Sequence, residues 1–438
     1  MNKPAEFTGF LYDQGDRIAL LKAVLDELSN PDTDFSIIHV CGTNGKGSTS
    51  AMIASVLKQL HYRVGMFTSP FIGNVTNGIQ INGQNISSSD RQAALETIEK
   101  IMQLDRFKGQ KLSEFEAEFV ASMIYFSRQK VDYVVLECGL GGELDATNAV
   151  STTMYSIFTK IGLDHIGILG DTIQEIATTK SKIIQPNNVT IVAPNQRPAA
   201  FDVISKEAQS KSAHLISAQE TKVAESDVTP QSQLIQFQRG KISGKFQFSL
   251  QGTYQIENVA TVITWLLDFV QRRHIDVDID RLLTDALANI NVPGRFEELV
   301  QNPKIIVDGA HNLDAISAFV DTVDAKFNQF HKVIITGFLK DKDYTDCVEL
   351  LTQIHDVSFR LTSPDNPKRA LSAKSLQATF KHFTQVDYPT FSDPISALKA
   401  TVQEVKHQKD TIILVAGSFY LLNPIRTFIK DGSFQNDK

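Results

Sequence analysis

Cysteine is scarce: only Cys41, Cys138 and Cys347 occur in 438 residues, with no C-x-x-C pair and no Cys/His spacing that suits zinc. Neither a disulfide framework nor a zinc site is expected, and all three thiols are read as small buried hydrophobes. Long apolar runs are also missing. No stretch approaches the roughly 18 residues of a membrane span, and the opening MNKPAEFTGF has no apolar core of the signal-peptide kind. A soluble cytoplasmic chain with no membrane partner is expected. Positive charge is not in excess: 43 Lys plus Arg stand against 50 Asp plus Glu, a formal net charge of −7, with no long run of either sign. That excludes the electrostatic footprint of a nucleic-acid binder, so an anionic ligand would need a local positive site. Internal repeats and low-complexity segments are absent as well.

What remains is an ordinary globular composition, 42% hydrophobic and 21% charged, in a chain long enough for two or three domains. Short β-rich apolar runs (Ile37 to Val40, Val64 to Thr68, Tyr133 to Leu136, Met154 to Phe158, Val189 to Val192) alternate with helical patterns, which predicts a mostly parallel, doubly wound α/β sheet. Between the first two runs Met52, Ile53, Val56, Leu57 and Leu60 recur at helical spacing, giving a βαβ unit. Residues 217 to 250 carry alternating segments, LIQFQ and FQFSL, read as antiparallel strands decorating the first domain. Helices are expected from Ile256 to about Arg273 and from Asp278 to Ala288. Pro293-Gly294 then break the periodicity, which places the domain boundary near Glu297, with domains of residues 1–296 and 297–438. Beyond it KIIVDG, KVIITGF, VSFRLT and TIILVAGS alternate with helical segments, predicting a second, smaller α/β domain.

The strongest chemical feature is Gly42-Thr43-Asn44-Gly45-Lys46-Gly47-Ser48-Thr49, directly after the strand IIHV and directly before the amphipathic helix. Glycines let backbone N–H groups turn toward phosphate oxygens, the helix N-terminus adds partial positive charge, and Lys46 supplies a cation for the β and γ phosphates. The loop suits ATP or GTP. It departs from G-x-x-x-x-G-K-[ST] because Val40 holds the first glycine's place and Gly47 separates Lys46 from Ser48. A glycine-rich turn that binds nothing has no need of a lysine between two glycines. Mg²⁺ takes oxygen ligands and keeps water, so it needs few protein groups near such a loop. Three strand ends offer them: Ser69 after VGMFT, Glu137 closing DYVVLE, and Asp164-His165 shortly after MYSIF. Taken singly, these are better read as a turn serine, a solvated strand end and a loop histidine.

GTNGKGST, the run Glu137-Cys138-Gly139-Leu140-Gly141-Gly142 continuing to Leu144-Asp145-Ala146-Thr147-Asn148, and Gly162-Leu163-Asp164-His165 followed by Ile168-Leu169-Gly170-Asp171-Thr172 resemble the folylpolyglutamate synthase/dihydrofolate synthase family. The likeness continues in order through Gly252, Gln255 and Asn258, Pro293-Gly294-Arg295, Asp308-Gly309-Ala310-His311-Asn312, Asp341-Lys342-Asp343 and Gly417-Ser418-Phe419-Tyr420-Leu421.

The resemblance implies a Mur-ligase-like P-loop domain, a Rossmann-like C-terminal domain and ATP held in the cleft between them. It also implies magnesium ligands at Ser69, Glu137 and His165, and nucleotide contacts at Asn258, Arg295 and Asp308. Arg295 sits on a Pro-Gly hinge, where a guanidinium is free to swing to phosphates. His311, in the turn after KIIVDG, is a candidate catalytic group beside Lys46. Lys180, otherwise a surface lysine, matches a family lysine that is often carbamylated and helps order a second magnesium. Departures stand at Phe71, at Lys182 where the family usually has glycine, and at Thr76-Asn77-Gly78-Ile79, where it commonly has Asn-Glu-Arg-Ile. The last deletes a charge pair that would brace the loop over the folate; a tight Asn-Gly turn accounts for it equally well.

The implied chemistry is ATP-dependent ligation. The γ-phosphate is transferred to a carboxylate, L-glutamate's amine attacks the acyl phosphate, and ADP and phosphate leave. Positioning and electrostatics would suffice, in keeping with the lack of a Ser/His/Asp or Cys/His constellation. Expected partners are ATP, L-glutamate and a folate or dihydropteroate, handled by a monomer with Mg²⁺. A peptidoglycan-type amino-acid ligase, a P-loop ATPase or kinase, and a nucleotide-binding paralogue without catalysis are the rival readings.

Overall fold

The computed structural model describes residues 14–226, 233–408 and 410–436; the opening segment read above for a signal sequence lies outside them. The chain divides into two compact units. The first comprises Met1–Gly162, Ile166–Ser249 and Ile256–Ile290, the second Leu163–His165, Leu250–Gln255 and Asn291–Lys438.

The first unit runs α1 (Arg17–Glu27), β1 (Ser36–Cys41), α2 (Lys46–Gln59), β2 (Val64–Phe67), β3 (Ile79–Ile81), β4 (Gln84–Asn85), α3 (Ser88–Met102), α4 (Glu114–Arg128), β5 (Tyr133–Glu137), β6 (Tyr155–Phe158), α5 (Ile173–Ser181), β7 (Val189–Val192), α6 (Pro198–Ser210) and β8 (His214–Ser217). Its sheet has the order β4-β3-β2-β5-β1-β6-β7-β8. All pairings are parallel from β2 to β8, while β3 and β4 join as an antiparallel hairpin on one edge. The five apolar runs are therefore strands, and they are buried on both sides because helices cover both faces of a parallel sheet. Register decides what lies at the C-terminal edge: Val40 pairs with Glu137, Phe67 with Leu136 and Cys41 with Phe158. The ends of β1, β2, β5 and β6 thus share one rim. The hairpin β3–β4 was not legible, being five residues in two pieces around the turn Asn82-Gly83.

A small antiparallel sheet follows, of β9 (Lys222–Ser226), β10 (Gln233–Arg239) and β11 (Ile242–Phe248), with Ile235, Phe237, Phe246 and Phe248 buried on its inner face. Residues 227–232 of the segment read as strand-rich are outside the described ones. The helix expected from Ile256 is α7 (Gln255–Arg273), and its Trp265 and Phe269 stack at 5.2 Å. The next, α8 (Ile279–Leu287), begins one residue late because Asp278 is its cap, accepting the Arg281 N–H.

The second unit contains β12 (Glu297–Gln301), β13 (Lys304–Val307), α9 (Leu313–Phe327), β14 (His331–Thr336), α10 (Tyr344–Leu351), β15 (Val357–Thr362), α11 (Ala373–Thr384), β16 (Thr390–Phe391), α12 (Pro394–Val405), β17 (Thr411–Ala416) and α13 (Phe419–Lys430). The strand order is β12-β13-β17-β14-β15-β16, with only β12 antiparallel. β17 is buried along its whole length, as an inner strand of such a sheet must be. Two strands go beyond the four anticipated: β12, whose Glu297-Glu298 start hid it, and β16, too short to show a pattern. Among the described residues no helix is long and apolar enough to cross a membrane.

Candidate active site

β1 ends at Cys41 and α2 starts at Lys46, so the phosphate loop occupies four residues between a buried strand and a helix N-terminus. Gly45 caps α2 in the left-handed region, φ +89°, and a Cβ there would stand 2.3 Å from the Asn258 side-chain oxygen. Glycine is required on both counts. This close approach brings Asn258, on α7, onto the loop.

The amides of Thr43 and Asn44 both donate to the Lys160 carbonyl, at 2.9 and 3.3 Å, and the Thr43 hydroxyl donates to Gly162 O at 3.1 Å. Those two amides anchor the loop to the segment after β6. Phosphate-facing donors are accordingly sought one step on, in the first turn of α2, where helical amides have no carbonyl four residues back. Lys46 is half-buried rather than solvated: its Nζ donates to Gly42 O and Thr43 O, each at 3.1 Å.

Lys180 is not a surface lysine. It is 5% exposed, and its Nζ donates to Gly42 O at 2.9 Å. Two ammonium groups thus converge on one loop carbonyl. The departure at Lys182 is neutralised locally, since its Nζ pairs with Glu207 Oε2 at 2.8 Å, from α5 to α6.

Glu137 is buried, not a solvated strand end. Its Oε2 accepts the Ser69 N–H at 3.2 Å and lies 3.6 Å from where a Cβ on Gly47 would stand. Ser69 and Glu137 are thereby brought together beside the first turn of α2. A carboxylate and a hydroxyl are the hard oxygen donors that a divalent ion carrying phosphate oxygens and water accepts, so these residues fit Mg²⁺. Among the described residues no group of three or more His, Cys, Asp and Glu side chains could by itself hold a metal ion.

The loop after Ser69 is closed at its base by Thr68 N donating to Gly78 O at 3.0 Å. Neither Asn77 nor Gly78 has positive φ, so the primed Asn-Gly turn is not formed; Val75–Gly78 is a 3₁₀ turn. Asn77 Nδ2 donates to Ile72 O and its Oδ1 accepts from Asn85 Nδ2, both at 2.7 Å. A neutral clip to the β3–β4 hairpin holds this loop.

Beneath the loop lies a buried polar chain. Asp145 accepts the Leu140 N–H at 2.6 Å and bonds the Thr147 hydroxyl, which sits 2.8 Å from His39 Nε2; His39 Nε2 is 3.1 Å from Cys138 Sγ. Burial pushes the His39 imidazole down to about 3.

In the second unit, Asp164 is ringed by nitrogen-bearing side chains. Its carboxylate bonds Lys342 Nζ, accepts Asn312 Nδ2 at 3.1 Å and lies 3.5 Å from His311 Nε2 and 3.8 Å from His165 Nε2. Burial alone would raise this carboxyl, but His311, His165 and Lys342 hold it well below the usual carboxylate range. His311 is fixed at its other nitrogen by Gly309 O, 2.9 Å from Nδ1. Asp308 accepts from Tyr254 OH, Phe296 N and Ala310 N at 2.8, 2.9 and 2.8 Å, so its buried carboxylate ties three segments together. The Arg295 guanidinium lies over the Phe419 ring, 4.8 Å from its centroid. Lys342 and Asn312 escaped the residue-level reading, although Asp341-Lys342-Asp343 and His311-Asn312 were in view as motifs. Tyr254 had no motif to mark it.

Residues 40–266 match the Mur ligase middle domain and residues 294–419 the Mur ligase glutamate ligase domain. The chain is 32% identical over 416 residues to the dihydrofolate synthase/folylpolyglutamate synthase of Bacillus subtilis, covering 94% of each. It superposes on Mycobacterium tuberculosis folylpolyglutamate synthase complexed with ADP with a TM-score of 0.85 at 26% identity, covering 95% of each chain. For E. coli FolC in complex with DHPP and ADP the TM-score is 0.81 at 25% identity, covering 99% of this chain and 95% of that one. With both domain models in register and this likeness over almost its full length, the chain belongs to the folylpolyglutamate synthase/dihydrofolate synthase family of Mur ligases.

Proposed function

We propose that this chain joins L-glutamate to the carboxylate of a folate, and to that of dihydropteroate, through an acyl phosphate. It is an ATP-dependent, ADP-forming ligase. The observation that carries this reading is the phosphate loop, with Lys46 and Lys180 both directed at Gly42 and the Ser69–Glu137 pair beside the first turn of α2.

In the first step a carboxylate oxygen of the acceptor attacks the γ-phosphorus, the bond to the β–γ bridging oxygen breaks, and ADP takes the electron pair. Lys46 and the first-turn amides of α2 stabilise the charge on the transferring group. Mg²⁺, which Ser69, Glu137 and His165 would hold, supplies charge neutralisation on the phosphates when bound. In the second step the glutamate amine attacks the acyl carbon, the C–O bond to phosphate breaks, and the amide nitrogen loses its proton. His311, held by Gly309 O and faced by Asp164, is assigned to the amino-acid side of the reaction. Asn258 and Arg295 are assigned to the nucleotide, with Asp308 holding the segment that carries Arg295.

The likeness to a FolC that binds DHPP and ADP supports dihydropteroate as an acceptor. Three free cysteines suit a reducing cytoplasm. The test is ADP release with dihydropteroate and with a reduced folate, each with and without L-glutamate. Release dependent on both glutamate and acceptor is expected. Equal release without glutamate would replace the ligase by a P-loop ATPase.

A further inference from the structure

Phe419 opens α13 directly after Ser418, whose hydroxyl caps that helix by accepting the Tyr420 N–H at 3.1 Å. Its ring stands where three segments of the second unit meet. Gly309 N donates to Gly294 O and Gly417 N to Ala310 O, each at 2.8 Å, fastening the Pro-Gly hinge, the turn after β13 and the start of α13 to one another. The tip of the ring reaches the backbone at that junction: a Cβ on Gly309 would stand 2.3 Å from Phe419 Cζ, 2.4 Å from its Cε1 and 2.8 Å from Arg295 Nη1. The missing side chain of Gly309 is what admits both groups.

Two functional side chains rest on this one ring. The Arg295 guanidinium carbon is 4.8 Å from the ring centroid, and the His311 imidazole centroid is 5.6 Å away, tilted by 59°. A guanidinium over an aromatic face is attracted by the ring quadrupole, and the contact removes rotamer freedom from a long side chain that hangs on a hinge. Leucine of similar bulk would fill the space but offer no quadrupole.

We propose that Phe419 is a positioning residue that holds the Arg295 guanidinium and the His311 imidazole in a fixed mutual relation. The phosphate-directed cation and the imidazole assigned to the amino-acid side are then set by a single ring, and Gly309 is glycine because that ring and guanidinium occupy its side-chain space. This rests on the assignment of Arg295 and His311 in the proposed function.

The test uses the full-length enzyme with Phe419 replaced by 3,5-difluorophenylalanine, which keeps the shape and weakens the quadrupole, and by leucine. Each is read in the native and in the Arg295→Ala background. Expected is a fall in kcat/KM for ATP of about two- to thirtyfold for leucine and a smaller, graded fall for the fluorinated ring, with melting temperature unchanged. In the Arg295→Ala background the same replacements should have no effect on that constant. Equal losses in both backgrounds, or none from the fluorinated ring, would overturn the proposal. Full activity in Arg295→Ala alone would instead overturn the assignment of Arg295.

Discussion

The ring of Phe71 occupies the space a side chain on Gly78 would need: a Cβ there would stand 2.1 Å from Cδ1 and 2.3 Å from Cε1 of the ring, and 3.1 Å from Thr68 O. Two of the departures noted in the sequence are therefore one packing arrangement. The glycine does not loosen the loop; it seats Phe71, which also meets Phe67 edge-on at 6.3 Å. Restoring arginine at position 78 is expected to harm rather than repair the loop, because the ring must leave. Gly78→Arg should raise KM for the folate acceptor by about fivefold or more while KM for ATP stays within twofold, given that several van der Waals contacts and a seated aromatic are lost. Phe71→Leu in that background should recover part of the loss. Steady-state kinetics with both substrates checks this; equal changes in the two KM values would sink it.

Replacing Lys46 by alanine removes one of the two cations at the phosphate loop, takes the lysine donor from Thr43 O and leaves Gly42 O with Lys180. Turnover is expected to fall about a thousandfold, as for other groups that stabilise a transferring phosphoryl group. The melting temperature should move by only a few degrees, since Lys46 is half-buried and contributes no core packing. Single-turnover measurements with saturating ATP separate lost chemistry from lost binding.

Lys180 shows what the sequence could and could not reveal. Only the family resemblance singled it out, and its burial against the phosphate loop depends on α5 lying beside Gly141-Gly142, where Glu143 N donates to Thr179 O at 2.8 Å. No local pattern encodes that contact. The parallel sheet, the loop and the strand-end acids were legible because strand, glycine turn and helix follow one another in sequence. Asp164 with Lys342, 178 positions apart, and Tyr254 with Asp308 were not, because only the folded chain brings them together. Lys180→Met should take one of two ammonium donors from the Gly42 carbonyl, Lys46 remaining, and cost about 1 kcal/mol of stability. The stabilisation of the protein by added ATP should shrink in the same variant. Unchanged thermal shifts with and without ATP would show that the contact is incidental.

Asp308→Asn tests the junction around β13. The carboxylate accepts hydrogen bonds on both oxygens, Oδ2 from Tyr254 OH and Phe296 N and Oδ1 from Ala310 N. An amide offers one oxygen and turns an NH₂ group toward at least one of these donors. A loss of about 2–4 kcal/mol is expected, with the melting temperature falling by several degrees. Tyr254→Phe removes a single donor and leaves that carboxylate two backbone partners, so its loss should be smaller, about 1 kcal/mol. Calorimetry on the two variants decides; a larger effect for Tyr254→Phe would contradict this ranking.

His39 makes stability depend on pH. The imidazole is fully buried, with Nε2 facing the Thr147 hydroxyl and the Cys138 thiol, and burial lowers its pKa from 6.5 to about 3. The native state therefore holds a neutral ring where the unfolded chain takes up a proton. Between pH 6.5 and about 3 the unfolded chain binds more protons, so stability rises with pH. Its contribution is complete above 6.5 and is lost as pH falls toward 3, at about 1.4 kcal/mol per unit. From pH 7 to pH 5 that amounts to about 2 kcal/mol. His39→Gln retains polar atoms at the site but no titrating group. It is expected to start less stable at pH 7, because the Thr147 and Cys138 contacts are remade imperfectly, and yet to lose less than the native chain on going to pH 5. Urea unfolding midpoints of both proteins at pH 7 and pH 5 supply the comparison. Parallel losses in the two would mean that another group carries the acid sensitivity.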